Sequence, residues 1–250
     1  MPGARVSAEL STLTERKGAA VYVAIGPNAL QTLLDSDVGA PILSLWTSTE
    51  SFRRITAAPR PDKRRGAVTA IFAEAAPLHQ FKLIRSLYRR HVAVAALLSP
   101  GVAFLQPQLE QAARGNDLEL EVVTVDPGEN VLRAFTALRD VKVLFMQPDR
   151  DLYTPESVRY VLESAYRRGQ SVIGFSPSLV RAGTLAAAYS TIDDVLDQVP
   201  MITDDLALGR LPAPQYPLYW RVQINERVAQ SLNILVDDSL RALGNLQVRQ

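Results

Sequence analysis

Twelve residues stand where chemistry is easiest to place: Gly26 and Asn28; Trp46, Thr47 and Ser48; Glu74; Ser99; Gln147, Asp149 and Tyr153; Ser176; and Tyr189. Nearly all follow a short apolar run, and several directly precede a helical pattern. In an open sheet of parallel strands, ligands sit beyond the carboxyl ends of the strands. Helix N-termini there present unpaired N–H groups to a carboxylate or phosphate. Hydroxyls and amides dominate the set, which suits hydrogen bonding to a small polar solute. Trp46, Tyr153 and Tyr189 add aromatic faces that could flank a ligand. Ser, Thr, Asn and Asp are also favoured as caps and turn formers, so each residue alone has a plainer explanation.

Other chemistries find little support. The chain has no G-x-G-x-x-G, Walker loop, G-x-S-x-G or H-E-x-x-H. Those are the motifs of dinucleotide sites, phosphate loops, serine hydrolases and zinc proteases. "GFSPS" (residues 174–178) puts a serine after a strand but lacks the second glycine, and the pattern does not show a helix following at once. His79 lies in a helical pattern and His91 starts a strand; neither has a carboxylate at orienting spacing, which suggests surface roles. The pairs Asp193-Asp194, Asp204-Asp205 and Asp237-Asp238 lack calcium-loop spacing and fall near helix starts, where carboxylates offset the helix dipole. The basic group Arg53, Arg54, Arg60, Lys63, Arg64 and Arg65 has one aromatic neighbour, Phe52, and reads as a solvated linker. No cofactor and no catalysis are expected.

These residues need elements to position them, and the pattern alternates throughout. Residues 5–17 read as a helix, with Val6, Leu10 and Leu13 at helical spacing. Apolar strands at 19–26, 40–47, 67–73, 91–99, 118–125, 141–149 and 171–176 are separated by amphipathic helices. The clearest helix has Thr154 at its cap, Pro155 in its first turn and Gly169 at its end. Continuous apolar strands between helices imply βαβ units and parallel sheets buried on both faces. Residues 191–208 read as helical with a break near Pro200. "LYWRVQIN" (218–225) alternates like a strand, and "ERVAQSLNI" follows as a helix.

Two sheets fit better than one. "TAAPRPDKRRG" (56–66) is polar and proline-bearing, and "VIGFSPSLVRAGTLAAAYS" (172–190) breaks a buried strand with a Ser-Pro-Ser turn before a second apolar run. Together they bracket one α/β block. The expected division is residues 1–66 and 185–210 in a first lobe, and 67–184 and 211–250 in a second. Hinges would lie near 56–66, 176–184 and 210–217.

The totals suit this. The chain has 250 residues, 47% of them hydrophobic and 21% charged, with a net charge of +1 and no cysteine. That excludes disulfides and thiolate sites and gives no global field favouring nucleic acid or an anionic membrane. No stretch approaches the ~18 apolar residues of a membrane span.

"AVTAIFAEAAPLHQFKLIRSLY", "VIGFSPSLVRAGTLAAAYS" and "YWRVQINERVAQSLNI", in this order, resemble bacterial ABC-transporter substrate-binding proteins. Those are periplasmic binding proteins of the type I fold. "VYVAIGPNALQTLL" is similar to that family's first-lobe strand and glycine-containing turn. The resemblance implies two α/β lobes, each a mostly parallel sheet flanked by helices, closing on a small molecule such as an amino acid or nucleobase. It also implies a membrane permease as partner and a periplasmic location after loss of a leader; a cytoplasmic location is the alternative. Proteins of this fold start with a strand, a helix and a second strand before the element like 19–26, whereas here only one helix precedes it. The first lobe should therefore be short of its initial strands, and a homodimer could complete it. A ligand-sensing or protein-interaction module that has lost transport is the rival reading.

Overall fold

Two separate hydrophobic alternations build two separate sheets. The computed structural model describes residues 21–36, 38–59, 67–126, 128–138 and 140–246. The expected helix at 5–17 and most of the basic linker, including Arg60, Lys63, Arg64 and Arg65, lie outside the described residues. The chain divides into a first unit, up to Ala73 plus Ile192–Leu218, and a second, Glu74–Thr191 plus residues from Tyr219 on.

The first unit holds a three-stranded parallel sheet in the order β1 (Tyr22–Ile25), β2 (Ile42–Thr47), β3 (Val68–Phe72). Side chains alternate across it. Ala24, Ile42, Ala70 and Phe72 face α1 (Pro27–Asp35) and α2 (Thr49–Ala57), whose Leu30, Leu33, Phe52 and Ile55 complete one core layer. Leu43, Leu45 and Ile71 face the other way, onto Val195, Ile202 and Leu206.

The second unit holds seven strands. In chain order they are β4 (Ala93–Leu98), β5 (Glu119–Thr124), β6 (Val143–Phe145), β7 (Ser171–Ile173), β8 (Ala186–Tyr189), β9 (Trp220–Ile224) and β10 (Gly244–Asn245); across the sheet they run β10-β9-β8-β7-β6-β4-β5. Strands β4 to β8 are parallel, and β9 and β10 add an antiparallel edge. One face packs Val94, Ala96, Phe145 and Ala188 against α3 (Pro77–Tyr88) and α4 (Gln106–Gly115) through Phe81, Ile84 and Leu109. The other packs Ala95, Leu97, Leu144 and Val172 against α5 (Val131–Ala137) and α6 (Pro155–Arg167) through Phe135 and Val161. A short helix, α7 (Pro177–Ala182), links β7 to β8.

The mixed α/β fold with mostly parallel sheets is as expected, and so is the smaller first sheet. The expected boundaries are corrected. Strand 68–72 pairs with β2, Ile42 opposite Val68, and so belongs to the first unit. "LAAAYS" does not re-enter the first unit, because β8 pairs with β7 at Ile173 and Ala186 and antiparallel with β9. The chain therefore crosses at 73–74, 191–192 and 218–219, not near 66, 184 and 210. The physical reason is that a buried apolar strand pairs equally well with either sheet, so linker composition is a poor guide to its partner.

Smaller differences follow. The helical run after 191 splits into α8 (Ile192–Leu196) and α9 (Val199–Ala207), with Pro200 in the first turn of α9, where its missing N–H costs nothing. A helix does follow Ser176 directly, capped by that hydroxyl from Leu179 N at 3.4 Å. After α10 (Glu226–Ser231) comes α11 (Asp238–Arg241), whose start the pair Asp237-Asp238 marked, and then β10, which the sequence did not announce.

Candidate functional site

In the first unit, the carboxyl ends of the neighbouring strands β1 and β2 gather five of the twelve residues. Gly26 takes φ +82°, a conformation L side chains rarely adopt, and its N–H donates to Leu45 O at 2.8 Å. This turns the chain from β1 into α1, leaving Asn28 exposed in the first helical turn. On β2 the register slips between Leu45 and Thr47, a bulge whose extra residue, Trp46, has φ +53°. Regular alternation would send Trp46 to the same side as Ile42 and Ser44. The bulge instead turns the indole onto the Leu43–Leu45 layer. Thr47 then meets Ser44, whose hydroxyl donates to it at 2.9 Å within the core. Ser48 caps α2 by accepting from Ser51 N at 3.2 Å. The Ser51 hydroxyl turns instead to Glu50, so the capping box is not reciprocal.

In the second unit, Ser99, Gln147, Asp149, Tyr153, Ser176 and Tyr189 lie at or just beyond the carboxyl ends of four adjacent strands, β4, β6, β7 and β8. Asp149 is buried and accepts from Ser99 N at 2.7 Å and Asp151 N at 3.1 Å, clamping the turn after β6 to the end of β4. The Ser99 and Tyr153 hydroxyls are buried without a hydrogen-bond partner among the described residues. Burial first, then the nearby Asp149 charge, raises the Tyr153 phenol far above its ordinary value. It is a neutral donor at any physiological pH. Gln147 is also buried, while Ser176 and Tyr189 are half-buried. Glu74 is buried at the first crossing.

Sequence reasoning missed several contributors. The space above Gly101 is bordered by Ser99 Oγ and Asp151 Oδ2, which puts an exposed carboxylate beside the buried hydroxyl. Gln80 reaches from α3 to β8: its amide donates to Ala188 O at 2.8 Å and its carbonyl accepts from Ala188 N at 2.9 Å. Gln198 accepts from Leu218 N at 2.9 Å and so ties the turn before α9 to the last residue of the same segment of the first unit. The signal for Gln80 was present, since an amide sits on the buried face of a helix at Pro77, Gln80, Phe81 and Ile84. Gly174 admits no side chain, because a Cβ would come within 2.8 Å of Leu179 Cβ.

One of the two histidines is corrected and the other is at the surface as expected. His79 is not a surface group: its ring stacks on Trp220 at 4.4 Å, and burial, aided by Lys82, lowers its pKa to about 4. His91 is exposed, and folding brings Asp117 and Glu119 to it, at 3.6 and 4.0 Å. Ser176 has extended backbone, φ −155° and ψ 155°, not the strained turn of a nucleophile elbow. Among the described residues no group of three or more His, Asp or Glu side chains could hold a metal, and no helix is long and apolar enough to cross a membrane.

No family model matches the chain, and no curated protein matches it. Solved structures do. The ABC domain from Streptococcus pneumoniae, in complex with L-Trp, is 17% identical, with 96% of this chain and 83% of that chain covered at a TM-score of 0.63. A substrate binding protein with adhesive properties from Clostridium difficile, in its ligand-free open form, is 14% identical, with coverage of 96% and 82% at 0.67. A conserved domain protein from Vibrio cholerae is 18% identical, with coverage of 96% and 82% at 0.62. At such identities the likeness is one of fold, the type I periplasmic-binding-protein fold of substrate-binding proteins.

Proposed function

We propose that this protein is the solute-binding component of a periplasmic ABC-type uptake system. It takes a small polar molecule of the amino-acid or nucleobase class and performs no catalysis. The observation that carries this reading is the pair of buried, unpartnered hydroxyls, Ser99 Oγ and Tyr153 OH, at neighbouring strand ends beside Asp149. A buried polar group without a partner costs about 1–3 kcal/mol. A ligand hydroxyl, amine or carboxylate that pairs with it recovers that cost on binding. Asp151 at the rim favours a ligand with an amine. The solved structures of this fold include one with L-Trp, which makes aromatic amino acids the first class to try.

The test is a thermal-shift screen of refolded protein against amino acids, nucleobases, sugars and small anions. A ligand at a hundred times its Kd stabilises by about 2.7 kcal/mol, a rise of about 5–10 °C for a chain of this size. A screen with no shift in any class overturns the proposal.

One observation favours the rival reading of a sensing or interaction module. Val23 and Ile25, on β1, the outer strand of the first sheet among the described residues, are 45% and 65% exposed. A protein that captures a signalling partner through this edge, and shows no solute-induced shift, is a module of that kind. Capture of a permease, or a homodimer by sedimentation, bears on the other expected partners.

A further inference from the structure

The second unit has a cavity at the amino ends of its strands, the end opposite Ser99 and Tyr153. It is a half-open cleft of about 420 Å³, within the range of small-molecule sites. Its walls are the end of α3 with the turn after it, the turn after α10, and Lys142, the residue before β6. Those walls are chemically divided. Leu87, Leu232, Ile234 and Leu235 line it with aliphatic carbon, and Leu235 is 70% exposed. Arg89, Arg90 and Lys142 line it with cations, and among the described residues no carboxylate lines it.

The cations differ in how far they are occupied. Arg89 is ion-paired with Asp237. The Lys142 ammonium donates one hydrogen bond, to Gly169 O at 2.7 Å, which leaves two donors. Arg90 is exposed and, among the described residues, has no carboxylate within ion-pair distance. The carbonyl end of α3 carries about half a negative charge here, less than the two cations of Arg90 and Lys142. The local field therefore favours an anion.

We propose that this cavity binds a small amphiphilic carboxylate, its head group on Arg90 and Lys142 and its alkyl chain along Leu87, Leu232, Ile234 and Leu235. The proposal is independent of the solute reading above, because it uses the other end of the sheet and none of the same residues. An uncharged amphiphile would leave the two cations unpaired. A headgroup anion alone would leave the leucine wall uncovered.

Octanoate, acetate and 1-octanol, titrated separately into the intact protein and followed by backbone amide shifts in NMR, test this. Saturable octanoate shifts centred on residues 87–90, 142 and 232–235 are expected, with acetate and 1-octanol each at least about tenfold weaker. Arg90→Gln should weaken octanoate about tenfold, the loss of one charge-assisted contact. Leu235→Asp should do so at least equally, and neither exposed position should lower the melting temperature. Lack of saturation, equal binding of octanoate and 1-octanol, unchanged affinity in Arg90→Gln, or shifts centred on residues 99 and 149–153 would each overturn the proposal. The last pattern would leave the solute site standing, so the two readings fail separately.

Discussion

The imidazole of His79 lies flat on the indole of Trp220, ring centroids 4.4 Å apart and planes 9° from parallel. His79 follows the first crossing between the units and Trp220 follows the third. Nearby, Ser190 donates to Tyr219 O at 2.6 Å just before the second crossing. Near each of its three crossings the second unit is thus tied to itself, His79 to Trp220 and Ser190 to Tyr219.

The stack carries a pH dependence. His79 titrates near 6.5 when unfolded and at about 4 in the folded protein, where burial and then Lys82 disfavour its charge. Between those values the unfolded chain holds the proton and the folded one does not, so stability falls as pH drops from 6.5 towards 4. Asp237 acts lower. Hydrogen bonds from Ser239, then Leu240 N, then Arg89 depress it from 3.8 to about 2, and its contribution is lost only as pH falls through that range. Urea titrations of His79→Phe should therefore lose the slope between pH 6.5 and 4 while keeping the loss below pH 3.8. An unchanged slope above pH 4 would refute the assignment.

Gln80 satisfies both backbone groups of Ala188 in the core. Gln80→Ala leaves a buried N–H and a buried C=O orphaned, which should cost about 2–4 kcal/mol in chemical denaturation. A loss below about 0.5 kcal/mol would mean that water replaces the amide and the clamp is unimportant.

Ser99 and Tyr153 should separate stability from binding. Ser99→Ala and Tyr153→Phe each remove a buried hydroxyl that has no partner among the described residues, so the melting temperature should hold or rise. Affinity for the solute found by screening should drop about tenfold in each variant. Loss of stability with unchanged affinity, measured by calorimetry, would assign these hydroxyls to folding.

Trp46 sits in the left-handed region at a bulge, where a side chain costs about 1–3 kcal/mol of strain. Trp46→Gly should therefore be more stable than Trp46→Ala by about 1 kcal/mol, the reverse of the order on a regular strand. Urea denaturation of the two variants checks that order, and equal stability would remove the strain.

Much of this protein was readable as a string. The strand–helix alternation came from buried apolar runs such as "AVAALL" and caps such as Thr154, whose determinants lie within a few residues. The strand-end row of Ser99, Asp149 and Ser176 was legible because parallel topology places every such turn at one end. Asp151 went unread, since an exposed aspartate two residues past another looks like an ordinary turn former until folding sets it beside Ser99.

Other features depend on contacts across long sequence distances. β3 and β8 are assigned to their sheets by hydrogen-bonding partners, and an apolar strand of one sheet is indistinguishable in composition from a strand of the other. Gln80 and Ala188 are 108 residues apart, and no local pattern predicts their pairing. The bulge at Trp46 reverses a side chain that strict alternation would have pointed the other way.

Sequence alone determined the fold class and the end of each sheet where polar groups collect, because periodicity and capping are local. Tertiary structure alone decided where the chain changes sheets, which hydroxyls are buried without partners and which cations line the far cavity. Those properties belong to the surroundings of a residue, and the surroundings exist only once distant segments have packed.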